Sequence, residues 1–127
     1  MSTDTKQDAR PPVWVGHVSM PTRALAESEE FMRALGMRSI VRSDNVAILE
    51  LRGGTHLVLS ADAEAAPSDA PFDLMVDDVD AAQADLAARG FAPSNIRRGR
   101  IHDSFTINDP GGARITVNSS HVSDQPV

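Results

Sequence analysis

The chain contains no cysteine, which excludes disulfides, thiolate nucleophiles and every zinc or iron–sulfur site built on cysteine. It has no run approaching the roughly 18 apolar residues of a membrane-spanning helix. The opening MSTDTKQDAR lacks the apolar segment of a secretory signal, so the expectation is a cytoplasmic protein without a membrane partner. Basic residues are in deficit. Twelve Lys+Arg against eighteen Asp+Glu leave a formal charge of −6, and that sign argues against nucleic acid and anionic lipid as partners. Aromatic side chains make up only 4%, so surfaces on which a large planar ligand could stack are scarce.

What remains is globular material. The 127 residues are 41% apolar and 24% charged, a composition that excludes wholesale disorder and suits one domain. A chain of this size buries roughly two thirds of its unfolded surface, so no metal or crosslink is needed merely to hold the fold. Residues 1–12 and 121–127 are polar and proline-bearing and read as tails, leaving a single domain over 13–120.

Two similar passages occupy that domain. Each opens with an apolar, strand-like run (13–20 and 72–76), continues with a helical period (22–35 and 78–89) and ends on a glycine, Gly36 and Gly90. Leu25, Ser28, Met32 and Leu35 share one helical face, as do Val79, Ala82, Leu86 and Arg89. Thr22 and Asp78 can accept from the first free amides, and the glycines stand where a left-handed residue ends a helix. Further on, 45–51, Gly53-Gly54 and 56–60 match 104–108, Gly111-Gly112 and 114–118. The second copy carries four extra residues in its post-helix segment, 92–103. This is a duplicated strand–helix–strand–strand–strand unit, with module one at about 13–60, a linker at 61–70 and module two at about 71–118.

Four passages in order, GHVSMPT, FMRALGM, MVDDVDAAQADLAARGF and FTINDPGGARITV, together with the repeat, resemble the vicinal oxygen chelate superfamily. That superfamily includes glyoxalase I, bleomycin-resistance proteins, fosfomycin-resistance enzymes and extradiol dioxygenases. The last passage departs from the family's Asp-Pro-Asp-Gly turn. The resemblance implies an α+β fold of two βαβββ modules, whose curled mixed sheet surrounds a shared cleft. It also implies a small-molecule ligand and a homodimer, with the cleft often completed across the dimer interface.

In metal-using relatives each of four strands supplies one ligand. The matching positions here are His17, Val58, Pro71 and Thr116. Only His17 is a good donor, and a divalent ion needs at least three. No cofactor is therefore expected. A substitute divalent-metal site of His17, His56 and His102 is the alternative, and it would make the protein a metal-dependent lyase or dioxygenase.

Strand parity selects the cleft face: Val15, His17 and Ser19; His56, Val58 and Ser60; Pro71, Asp73 and Met75; Arg114, Thr116 and Asn118. The opposite parity, from Trp14 and Val18 to Ile115 and Val117, forms the core under the helices. A mixed polar face of this kind suits a ligand pocket in preference to the wetted side of an antiparallel sheet. The candidate catalytic residues are His17, as acid, base or hydrogen-bond anchor, and Asp73, as base or partner of a cationic ligand. Ser19, His56, Val58, Met75, Arg114, Thr116 and Asn118 are candidate ligand contacts. Arg114 could grip a ligand carboxylate or phosphate or form a surface ion pair. The run Arg97-Arg98-Gly99-Arg100 reads as a clamp over the cleft or as a solvated loop. Asp77, Asp78 and Asp80 read as a helix start, not a calcium loop.

The leading functional reading is a glyoxalase/bleomycin-resistance-like small-molecule-binding protein or metal-independent enzyme. If it is an enzyme, the resemblance implies a lyase, isomerase or dioxygenase. The shortage of aromatics, with Trp14 on the core parity, argues against bleomycin itself as the ligand.

Overall fold

The computed structural model describes residues 7–127; the first half of the expected N-terminal tail, residues 1–6, lies outside them. Module one runs β1 (His17–Thr22), α1 (Leu25–Ala34), β2 (Arg38–Arg42), β3 (Val46–Glu50) and β4 (His56–Ala61). Its sheet has the order β1-β4-β3-β2, with β1 parallel to β4 and the remaining pairs antiparallel. Period-two burial is sharp: Ala47, Leu49, Leu57 and Leu59 are fully buried beneath α1, while Val46, Ile48, Glu50, His56 and Val58 are half-buried on the other face. Truncating either buried leucine to alanine costs about 2–5 kcal/mol, the transfer free energy plus the cavity left behind.

Helix α1 starts three residues later than the sequence suggests. Thr22 closes β1, and its Oγ1 accepts the Ala24 amide at 3.0 Å, so the hydroxyl caps the turn before the helix. Asp78 caps α2 (Val79–Ala88) as expected, with its carboxylate accepting the Ala81 amide at 3.0 Å. Gly36 and Gly90 both have positive φ, 111° and 86°, where a side chain would be strained.

Module two contains β5 (Ser68–Asp69), β6 (Leu74–Val76), α2, β7 (Ser104–Asn108) and β8 (Ala113–Ser119). Strand β8 is its axis: β7 lies antiparallel on one edge, and β5 and then β6 lie parallel on the other. Within the linker 61–70, Ser68–Asp69 pairs with Ala113 and Arg114. One expectation needs correction: the second module lacks a regular counterpart of β2, and its lengthened segment makes one bridge, Arg97 to Ser104. Pro93, Gly99 and the positive φ of Ala92 (52°) break any longer ladder there.

The cores of both modules form one cluster. Phe31 of α1 meets Phe91 edge to face at 5.6 Å between ring centres. Trp14 is a further correction. It stands outside the core, 69% exposed in an extended arm before β1, because β1 begins only at His17 and the arm has no facing layer.

Candidate functional site

The first sheet carries a row of four side chains, one per strand. Arg38 on β2 is in register with Glu50 on β3, Glu50 with His56 on β4, and His56 with His17 on β1. Glu50 uses both oxygens. Oε1 accepts from the Arg38 guanidinium, and Oε2 lies 3.2 Å from His56 Nε2. His17 approaches His56 edge-on, with ring centres 5.6 Å apart and planes at 78°. The Arg38 guanidinium, and secondarily His56, hold the Glu50 carboxyl below the usual carboxylate range. Ser19 is exposed and Val58 half-buried one rung further along the same face.

Glu50 and Arg38 are absent from the face inferred by parity, because that inference covered only the opening and closing strands of each module. The signal was available. A short turn of Arg52–Gly54 separates β3 from β4, which forces residues just before and just after it to pair across the hairpin.

The second sheet carries a cavity of about 430 Å³ lined in part by Pro71, Asp73, Thr106, Arg114 and Thr116. Parity placed four of these five on the cleft face; Thr106 joins them because β7 pairs Thr106 with Thr116. Asp73 is held from behind. Asn118 Nδ2 donates to Asp73 Oδ2 at 2.6 Å, while Asn118 itself is only 3% exposed. The buried Asn118 Oδ1 makes no hydrogen bond among the described residues. Arg114 is engaged by Asp69, at 2.8 Å from Nε and 2.7 Å from Nη2, so the surface ion pair is the arrangement that forms. Met75 is 46% exposed next to Asn118 in the ladder.

The remaining candidates lie elsewhere. His102 stacks on His121, ring centres 5.3 Å apart, rather than joining the row of His17 and His56. Arg98 bridges Asp80 and Asp103 at 2.6 and 2.8 Å, and those carboxylates push its already high pKa further up. It therefore ties α2 to the segment before β7 rather than standing ready as a clamp. Asp77 pairs with Arg52 at 2.9 Å.

Donor chemistry decides whether the inherited metal positions can hold an ion. His17 belongs to the first sheet, while Pro71 and Thr116 line the cavity of the second; Val58 and Pro71 offer no side-chain donor. One imidazole and one neutral hydroxyl do not fit a divalent ion. Among the described residues no three His, Asp or Glu side chains gather into a group able to hold a metal, so His17, His56 and His102 are not assembled as a substitute.

Comparison with known proteins adds three findings. The family model of the Glyoxalase/Bleomycin resistance protein/Dioxygenase superfamily matches residues 14–117. No curated protein sequence matches at a significant level. Among solved structures, a lactoylglutathione lyase from Agrobacterium tumefaciens superposes with a TM-score of 0.74 at 18% identity, covering 91% of this chain and 100% of that one. An antibiotic-binding protein from Streptomyces sp. CB03234 gives 0.69 at 22% identity, with 84% and 95% covered. A bleomycin-binding protein complexed with bleomycin gives 0.62 at 17%, with 85% and 98% covered. At these identities the likeness is one of fold.

Proposed function

We propose that this chain, which belongs to the Glyoxalase/Bleomycin resistance protein/Dioxygenase superfamily, binds a small organic molecule without a resident metal and holds it against the cavity of the second sheet. One observation carries the reading: a cavity of about 430 Å³ opens where strand parity brings Pro71, Asp73, Arg114 and Thr116 together. Asp73 is the anchor. Asn118 fixes its orientation, and no cation is paired with it among the described residues, whereas neighbouring Arg114 is neutralised by Asp69. A ligand with an ammonium, amidinium or strong hydroxyl donor satisfies that carboxylate. Thr106 and Thr116 supply hydroxyls that either donate or accept.

The site is completed by a second copy. Strands β1 and β6 each have one edge without a strand partner among the described residues, and exposed Met75 lies beside the second of these. A homodimer that joins these edges sets the His17–His56 face of one protomer against the Asp73–Thr116 face of the other. The antibiotic-binding and bleomycin-binding structural relatives support binding as the function. The scarcity of aromatics, with Trp14 outside this cavity, favours a compact ligand over a large planar one. No helix of the described residues is long and apolar enough to cross a membrane, and the acidic balance makes nucleic acid a poor partner. We place the protein in the cytoplasm.

A thermal-shift screen of small amines, hydroxy acids and cationic antibiotics, followed by calorimetry, tests the proposal. Ligand binding by the wild type, abolished in Asp73→Asn and weakened in Thr116→Val, is the expected result. Binding indifferent to both substitutions overturns it. Stoichiometric transition metal in untagged protein, lost in His17→Ala, overturns the metal-free part.

A further inference from the structure

We infer that His56 is the acid–base group of this cleft, with Glu50 and Arg38 as its positioning residues, so that the site moves a proton as well as binding a ligand. The inference rests on the reading that the first-sheet face belongs to the ligand site.

The argument starts from register. Arg38, Glu50, His56 and His17 stand on one rung across all four strands of the sheet, so the backbone ladder, rather than flexible side chains, sets their spacing. Arg38 and Glu50 alone would be a surface ion pair of little energetic weight. The second oxygen of Glu50 changes that. With Oε1 taken by Arg38, Oε2 faces His56 Nε2 at 3.2 Å. An ionised carboxylate only accepts hydrogen bonds, so Nε2 must carry the proton and the lone pair of the neutral imidazole resides on Nδ1.

A carboxylate that fixes the tautomer of an imidazole and stabilises the imidazolium formed later is the logic of a base held ready for proton transfer. The side chains of Glu50 and His56 are 25% and 30% exposed, so they are partly withdrawn from water without being closed off. His17 packs edge-on against His56 and restricts its ring. The charged or titratable groups facing His56 from the strands on either side are thus Glu50, Arg38 behind it, and His17. In the proposed step His56 Nδ1 takes a proton from an O–H, N–H or activated C–H of the ligand. Glu50 balances the positive ring, and the proton then returns to the ligand or to water. No oxidant, reductant or metal is required.

Two measurements test this without knowledge of the natural ligand. At a pH where the ring is neutral, imidazole nitrogen chemical shifts of wild-type His56 should show Nε2 protonated and Nδ1 bare, and Glu50→Gln should mix the tautomers. A neutral His56 ring with its proton on Nδ1 in the wild type overturns the proposal, and this readout needs no substituted protein. The second probe is a nitrobenzisoxazole. Base removal of its ring C–H proton forms the nitrile as the N–O bond breaks, with the electron pair leaving on the phenoxide oxygen. Wild type should open the ring about 10-fold or more faster than His56→Ala, as a positioned general base implies. Added imidazole should restore part of the loss, and Glu50→Gln should fall between. Equal rates in wild type and His56→Ala overturn the acid–base role. Failure of these tests leaves ligand binding dependent on Asp73 untouched, whereas loss of that binding with His56 still reactive overturns only the earlier reading.

Discussion

The Ser28 hydroxyl donates a hydrogen bond of 3.0 Å to Asp109 Oδ2, joining residues 81 positions apart in the chain. Thr22 Oγ1 lies 2.6 Å from Ser28 Oγ and accepts the Ala24 amide, while the Gly111 amide donates to the same Asp109 oxygen at 2.9 Å. The direction of the chain is therefore determined: amide to Thr22, Thr22 to Ser28, Ser28 to the carboxylate. It ties the start of α1 to the β7–β8 turn and so connects the two modules through buried polar groups, which are costly to leave unsatisfied.

Removing the middle link should be expensive. Ser28→Ala strips a donor from Asp109 and an acceptor from Thr22 within the core, and a loss of about 1–3 kcal/mol is expected. Urea denaturation followed by far-UV circular dichroism reads it. A midpoint equal to that of wild type would show that the network carries no stability.

Asp109 should also leave a signature in the pH dependence of folding. Burial pushes its carboxyl above the ordinary value, offset only in part by Ser28 and the amides of Gly111 and Ala113, and its Oδ1 has no partner among the described residues. A folded-state pKa above the unfolded one means a contribution that is full below the unfolded value and lost as pH rises through the folded value. Asp109 therefore favours folding more in mild acid than at neutrality. Asp109→Asn keeps an acceptor for Ser28 and Gly111 but carries no charge, so it should flatten this part of the profile. Identical pH profiles for the two proteins would refute the assignment.

Glu29 should act in the opposite sense. Ser39 and then Arg42 hold it below the usual carboxylate range against the penalty of burial; its oxygens accept from both at 2.7 Å. Its contribution is present above the unfolded pKa and disappears as pH falls through the folded one. Glu29→Gln should be destabilised at neutral pH, and the gap from wild type should close as both are acidified. A gap independent of pH would contradict the ion pair.

Gly111 tests close approach directly. A Cβ there would stand 1.9 Å from Thr22 Oγ1 and 2.8 Å from Ser28 Oγ, so Gly111→Ala should destabilise by about 1–3 kcal/mol through overpacking. Gly16→Ala, where nothing among the described residues lies within 4 Å, is the control and should be near neutral in the same melt.

The proposed homodimer is tested by light scattering. Wild type at micromolar concentration should have twice the mass of the chain, and Met75→Glu, which places a charge beside the open edge of β6, should shift it towards the monomer. A wild-type monomer would remove the second copy from the proposed site.

The facing of the central strands was legible because a strand alternates its faces strictly. Once Leu57, Leu59, Ile115 and Val117 are read as inward, His56, Val58, Arg114 and Thr116 must point the other way, and the structure places them so. The helix ends were legible at Asp78, Gly36 and Gly90, where the local backbone needs a cap or a positive φ. Trp14 misled because apolar character says nothing about whether a facing layer exists.

The amino-acid order alone determined the helix and strand types over most of the chain and the oily side of the central strands, since these are set by interactions between residues a few positions apart; the duplication was legible as the recurrence of that local pattern. Only the folded chain decided that Arg38, Glu50, His56 and His17 share a rung, that Asp109 reaches Ser28, and that His102 turns to His121. Those pairings span different strands and modules, and their partners are chosen by hairpin register and packing rather than by any local pattern.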